Sequence, residues 1–179
     1  ETLKTICKNV KSYQIFQFPW VASLASANGN IYILRMLIAY GASVNSHAIA
    51  HAAARGHLEI VKFLKESGYP IDTSAIECAA GQGHLDIVEY LLKRGSPVDS
   101  DAISYAGAKG YLKVVELLVT NGVLMDEYVL KDLYETMTFD RSKISERILV
   151  YLIIKGAPRP SQRNDLVNRS MDGLIRKLI

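Results

Sequence analysis

Ala48–Asp72 reads AIAHAAARGHLEIVKFLKESGYPID and Ala75–Asp99 reads AIECAAGQGHLDIVEYLLKRGSPVD, and the two align without a gap at an offset of 27 residues. Thirteen positions are identical, far beyond chance for two windows of one chain, so they are copies of one unit. A third copy, AISYAGAKGYLKVVELLVTNGVLMD, starts 27 residues later at Ala102. Stepping back by the same interval reaches VASLASANGNIYILRMLIAYGASVN from Val21, where Gly29, Ile31, Ile33, Leu34, Leu37 and Gly41 hold the frame. Four units are in register.

Each unit reads as two short helices. In the third, Ser74 is the expected N-cap, Ala75 to Gly81 give about two turns with Ala79 and Ala80 on one side, and Gly83 ends them. Leu85, Val88, Leu91 and Leu92 then recur at helical spacing opposite Asp86, Glu89, Lys93 and Arg94, until Gly95 stops the helix. Pro70 and Pro97 fall in the connecting loops, where a missing N–H does no harm. Helices this short are marginal alone, so the units must stack to bury their apolar stripes.

The ends depart from the pattern. Leu3, Ile6, Cys7 and Val10 form one apolar stripe that predicts an N-terminal helical cap over residues 1–19. Four short repeats then occupy 20–127, and 128–158 is a degenerate fifth unit. Its glycines Gly122 and Gly156 are 34 residues apart, seven more than the repeat, which places an insertion near 138–143. Ile144, Ile148, Leu149, Leu152 and Ile153 preserve its second helix. After GAPRPS, Leu166, Val167, Met171, Leu174, Ile175 and Leu178 predict a C-terminal capping helix within 159–179. Atypical terminal units let a repeat array end in water.

Gly-His-Leu-Glu-Ile-Val at Gly56 to Val61 and Gly-His-Leu-Asp-Ile-Val at Gly83 to Val88, with their LLKRG and VD continuations, resemble ankyrin repeats. The likeness covers Val21 to Asp126 and continues more weakly to Pro158. Only the apolar and small positions of the family's Thr-Pro-Leu-His-Leu-Ala-Ala signature are kept, on Ser74 to Ala80. A usual unit has about 33 residues, against 27 here, and the deficit lies between Gly95 and Ala102. Short tight loops are therefore expected in place of β-hairpin fingers. The resemblance implies an all-α, ankyrin-like helical solenoid of stacked helix-turn-helix repeats with terminal capping helices.

It also implies a non-catalytic scaffold that binds a protein partner on its concave face. By register, the family's contact positions fall on Asn28, Arg55, Gln82 and Lys109, with Ser46, Thr73 and Ser100 leading into the helices and Ala50, Glu77 and Ser104 between. Compact, finger-poor versions resemble those of intracellular bacteria, large DNA viruses and protists, which often act on host proteins. The alternative is a targeting domain whose catalytic part lies outside these residues. Glu1 in place of Met fits a processed chain or a piece of a longer one, and no signal-peptide pattern starts it.

Composition narrows the remaining classes. With 49% hydrophobic and 22% charged residues among 179, the chain is neither disordered nor collagen-like. A net charge of +3 is too small to point to nucleic acid, and the C-terminal cations Arg159, Arg163, Arg169, Arg176 and Lys177 have no interleaved aromatics. The longest apolar run, Ile148 to Ile154, is far short of the ~20 residues that span a bilayer. Cys7 and Cys78 are no disulfide framework, so a reducing, cytoplasmic setting is expected; a monomer is the separate expectation for the assembly.

No cofactor, metal or catalytic residue is expected either. His47 and His51 stand at i, i+4, yet no acidic or cysteine ligand joins them at a zinc spacing. His51 shares the register of Cys78 and Tyr105 and is read as a buried, hydrogen-bonded core histidine rather than half of a Cys-His dyad. His57 and His84 follow the turn glycines, where an imidazole bonding nearby backbone supports the turn. Glu59, Lys62, Glu66, Asp86, Glu89, Lys93, Lys113 and Glu116 read as a solvated outer face. Leu124 is either an exposed apolar tip or, the reading preferred here, packed on the fifth unit.

Overall fold

The computed structural model describes residues 19–139 and 143–159, with positions 169, 172, 173 and 176 beyond them. The described residues form ten helices and no strand, an all-α arrangement of helix-turn-helix repeats. The N-terminal stripe with Cys7 and most of the C-terminal capping helix lie outside the described residues. The chain divides into two compact units, Glu1–Ala75 and Ile76–Ile179.

The first unit holds α1 (Pro19–Ala27), α2 (Ile31–Ala39), α3 (Ser46–Ala54), α4 (Leu58–Glu66) and the first two residues of α5 (Ser74–Gly81). Here α1 packs on α2 and on α3, and α3 packs on α4. Alanines make the close approach of first helices feasible: Ala22, Ala48, Ala52 and Ala53 are fully buried, with Ile49 among them. The second helices bury one stripe each, Leu34 and Leu37 on α2 and Ile60, Val61 and Leu64 on α4. Their outer faces also meet, with the Arg35 guanidinium 4.7 Å from the ring centroid of Phe63.

The second unit continues with α6 (Leu85–Lys93), α7 (Asp101–Ala108), α8 (Leu112–Thr120), α9 (Glu127–Phe139) and α10 (Lys143–Ile154). In it α6 packs on α8, α7 on α8 and α9, and α10 on α7, α8 and α9. The 13-residue α9 is longer than the eight- and nine-residue helices before it. The buried stripe of α6 is Ile87, Val88 and Leu91, whereas Leu85, expected to share it, is 36% exposed. Leu85 opens the helix directly after the turn, so its side chain leaves at the rim.

The repeat turn is built the same way in both units. Gly29 and Gly83 have φ near +72° and +76°, a conformation cheap only without a Cβ. Close approach adds a second requirement: a Cβ on Gly29 would lie 2.6 Å from the His57 ring, and one on Gly83 2.6 Å from the Tyr111 ring. His57 and Tyr111 stand in the same register one repeat later. The His57 imidazole also meets the Ala27 carbonyl at 3.0 Å, so its backbone bond reaches the preceding repeat rather than its own turn.

Leu124 corrects the reading that packs it on the fifth unit. It is 87% exposed, because Val123 beside it takes the buried place in the loop.

Candidate functional site

The first helices bury one side and show the other. On α3, Ala48, Ile49, Ala52 and Ala53 face inward, so His47, His51 and Arg55 come outward at i, i+4 spacing. His51 is therefore exposed and not the core histidine expected from its register. On α1 the matching positions carry Trp20, 58% exposed, Leu24, 53% exposed, and Asn28, also exposed. The inner flank belongs instead to Ala50, at 6% exposure.

In the second unit the same correction removes Ser104 from the predicted contact set. It is 7% exposed and flanks the buried Ala102, Ile103 and Ala106, whereas its neighbour Tyr105 is 49% exposed. Tyr105 was missed because the 51/78/105 register was read as inward. The signal was present in the i, i+4 line of Asp101, Tyr105 and Lys109, which cannot lie on the alanine face.

A groove of about 320 Å³ runs between α5 and α7, lined by Glu77, Cys78, Gly81, Gln82, Tyr105, Ala108 and Lys109. Three predicted contact residues, Glu77, Gln82 and Lys109, thus share one concavity. Its floor is open because Gly81 and Ala108 have little or no side chain. A Cβ on Gly81 would sit 3.2 Å from the Tyr105 Cβ, so the two helices are close there and the ring rises over the slot. Burial, then the charges of Asp101, Glu77, Asp99 and Cys78, push the Tyr105 phenol above its ordinary range. It is a neutral hydroxyl at physiological pH.

Ser46 and Ser100 are committed to holding repeats together. The Ser46 and Ser74 hydroxyls both donate to Asp72, and with the Ser74 backbone N–H they hold its carboxyl below the usual range. Ser74 is thus the first residue of α5 and a donor to Asp72 rather than the cap itself. In the second unit the Ser100 hydroxyl donates to Asp126 Oδ2 at 2.7 Å, while Asp126 Oδ1 accepts from the Tyr128 and Val129 N–H groups at 3.0 and 3.2 Å. Asp99, in the same register, accepts from the Asp101 N–H at 3.2 Å. Asp126 caps the helix that follows it, whereas Asp72 and Asp99 accept from the first N–H of theirs, and Ser46 and Ser100 each reach forward one repeat to brace these turns. Thr73, the remaining lead-in residue, is half-buried.

Asp101 has the opposite environment. Burial and then the charges of Asp99, Asp126 and Asp132 raise its carboxyl above the ordinary value. Among the described residues, no cluster of three or more His, Cys, Asp or Glu is placed to hold a metal ion. No described helix is long and apolar enough to cross a membrane.

The family model for ankyrin repeats, in three copies, matches residues 22–102 and 52–132. No curated protein matches the chain.

Proposed function

The chain belongs to the ankyrin-repeat family, whose repeats are generally protein–protein interaction modules without catalysis, and from that premise we propose that a protein partner docks on the exposed face of its first helices. The groove between α5 and α7 carries this reading, since it gathers Glu77, Gln82 and Lys109 around an exposed tyrosine. Asn28 and Arg55 present the matching surface in the first unit, where both are exposed. Among the described residues, no hydrogen bond or ion pair engages the side chains of Glu77, Gln82 or Lys109, so these groups are available to a partner without first breaking internal bonds. Ser46, Ser100 and Ser104 are not part of this surface.

The test is partner capture by the full chain with and without Arg55→Glu plus Lys109→Glu. Capture is expected to fall about tenfold or more, since a reversed charge facing a partner costs on the order of 1.4 kcal/mol. Undiminished capture, with circular dichroism unchanged, overturns the reading. The same proposal divides the chain into caps at 1–19 and 159–179 around the repeats of 20–127 and 128–158.

A further inference from the structure

We propose that the groove between α5 and α7 receives an arginine side chain of the protein partner, with the Tyr105 ring as its stacking platform and Glu77 and Asp101 as its counter-charges. The inference rests on the docking reading above and specifies the chemistry of that same surface.

Size decides what enters. At about 320 Å³ the groove stands at the lower end of the ~300–1,000 Å³ that accommodates a whole small ligand. It fits one long side chain and is too small for the face of a helix. The Gly81 and Ala108 floor offers an apolar track for a methylene stem, and Tyr105 stands over that track with about half its surface exposed.

Charge decides which side chain. Asp101 lies one helical turn before Tyr105 on the same exposed face, and Glu77 lines the groove from the facing helix. Both carboxylates act on the phenol, as does Asp99. The region around the ring is therefore negative and repels an acidic group. Lys109, one turn beyond Tyr105, sets the other end of the groove positive. A cationic head is thus drawn toward the Asp101 and Glu77 end and its stem lies toward Lys109.

Guanidinium suits the place better than ammonium. Its flat face stacks on an aromatic ring while its in-plane N–H groups still reach carboxylates on either side. An ammonium is a compact, strongly hydrated charge and gives up more water to sit over Tyr105.

Amide chemical shifts of Gly81, Ala108 and Lys109 in the full ¹⁵N-labelled chain report on the groove directly. The probes are four capped tripeptides of glycine flanking a central arginine, lysine, phenylalanine or glutamate. The arginine peptide is expected to saturate these shifts at the lowest concentration, about three- to fivefold below lysine. Tyr105→Ala should remove the saturable shift and Tyr105→Phe retain it, because the ring rather than the hydroxyl does the stacking. Glu77→Gln and Asp101→Asn should each weaken arginine about threefold or more.

Tighter binding by the phenylalanine or glutamate peptide overturns the arginine assignment while leaving a partner groove in place. So does an arginine affinity that Glu77→Gln and Asp101→Asn leave unchanged. Absence of any saturable shift also overturns it, and the capture experiment with Arg55 and Lys109 then decides the docking reading separately.

Discussion

In residues 1–75 the first helices expose Trp20, Leu24, His47, His51 and Arg55, whereas in residues 76–179 they expose Asp101, Tyr105 and Lys109 beside a groove edged by Glu77. One face is apolar and cation-bearing, the other mixed in charge around an aromatic ring. Beneath them the buried sets almost coincide: Ala48, Ile49, Ala52 and Ala53 in one, Ala102, Ile103, Ala106 and Gly107 in the other. The stacking interface tolerates only small residues and one β-branched anchor, while nothing in the backbone restrains the outward positions. A repeat protein can therefore hold its fold constant and vary its recognition surface one repeat at a time.

The largest effect tests whether the buried halves are as alike as they look. Leu64 and Leu91 occupy the same register and both are fully buried. Leu64→Ala and Leu91→Ala are each expected to lower stability by about 2–5 kcal/mol, read as the shift in urea midpoint. Unequal losses would show that the two units pack their second helices differently despite the shared pattern.

The turn glycines give the next comparison. Gly95 has φ near +63° with open space around its missing Cβ, so Gly95→Ala should cost about 1–2 kcal/mol from backbone strain alone. Gly83→Ala carries that strain and also drives a methyl into the Tyr111 ring. It should cost more, and Tyr111→Ala in the same chain should recover the excess in a double-mutant cycle. Equal losses at Gly83 and Gly95 would mean that the ring moves aside freely.

How far these features could be read in advance depends on their range. The helices were legible because apolar periodicity and turn glycines are local signals repeated four times. The family likeness followed from strings such as Gly56 to Val61. His51 and Tyr105 were misplaced because, in a two-turn alanine-rich helix, a shift of one residue in register exchanges the inner and outer faces. The roles of Ser46 and Ser100 were hidden for another reason. Each bonds an aspartate 26 residues away, a pairing that exists only once the repeats are stacked. Register alone puts Gln82 and Lys109 at corresponding places in successive repeats and Glu77 in the register of Ala50 and Ser104, whereas the groove joining Glu77, Gln82 and Lys109 depends on how closely α5 approaches α7.

Asp72 and Asp101 turn the comparison of the two units into one of acid response. The Asp72 carboxyl is lowered first by the Ser46 hydroxyl, so its contribution to stability is present above the ordinary 3.8 and fades as pH falls through the folded value. Ser46→Ala should cost about 0.5 kcal/mol at pH 7, the small end of a hydrogen bond's worth because Asp72 is exposed. That cost should vanish near pH 2. A cost independent of pH would mean that Ser46 acts through packing rather than through the carboxylate.

Asp101 has the reverse sign and the smallest expected effect. Its place in the first turn of α7 favours negative charge, through the helix dipole, by about 0.3–1 kcal/mol. Burial and the carboxylates of Asp99, Asp126 and Asp132 oppose that preference, and the raised value shows that they outweigh it. The charged form is therefore slightly unfavourable above the folded value, and the penalty disappears as pH falls below it. Asp101→Asn should stabilise the chain by a few tenths of a kcal/mol at pH 7 and low salt. The gain should shrink at 0.5 M salt, where screening falls to about 4–5 Å, and be absent near pH 3. The same substitution is expected to weaken arginine binding in the groove. A charge kept at a cost to folding and useful to binding is the pattern of a functional residue, so an Asp101→Asn chain that is both more stable and equally able to bind arginine would remove Asp101 from the recognition surface.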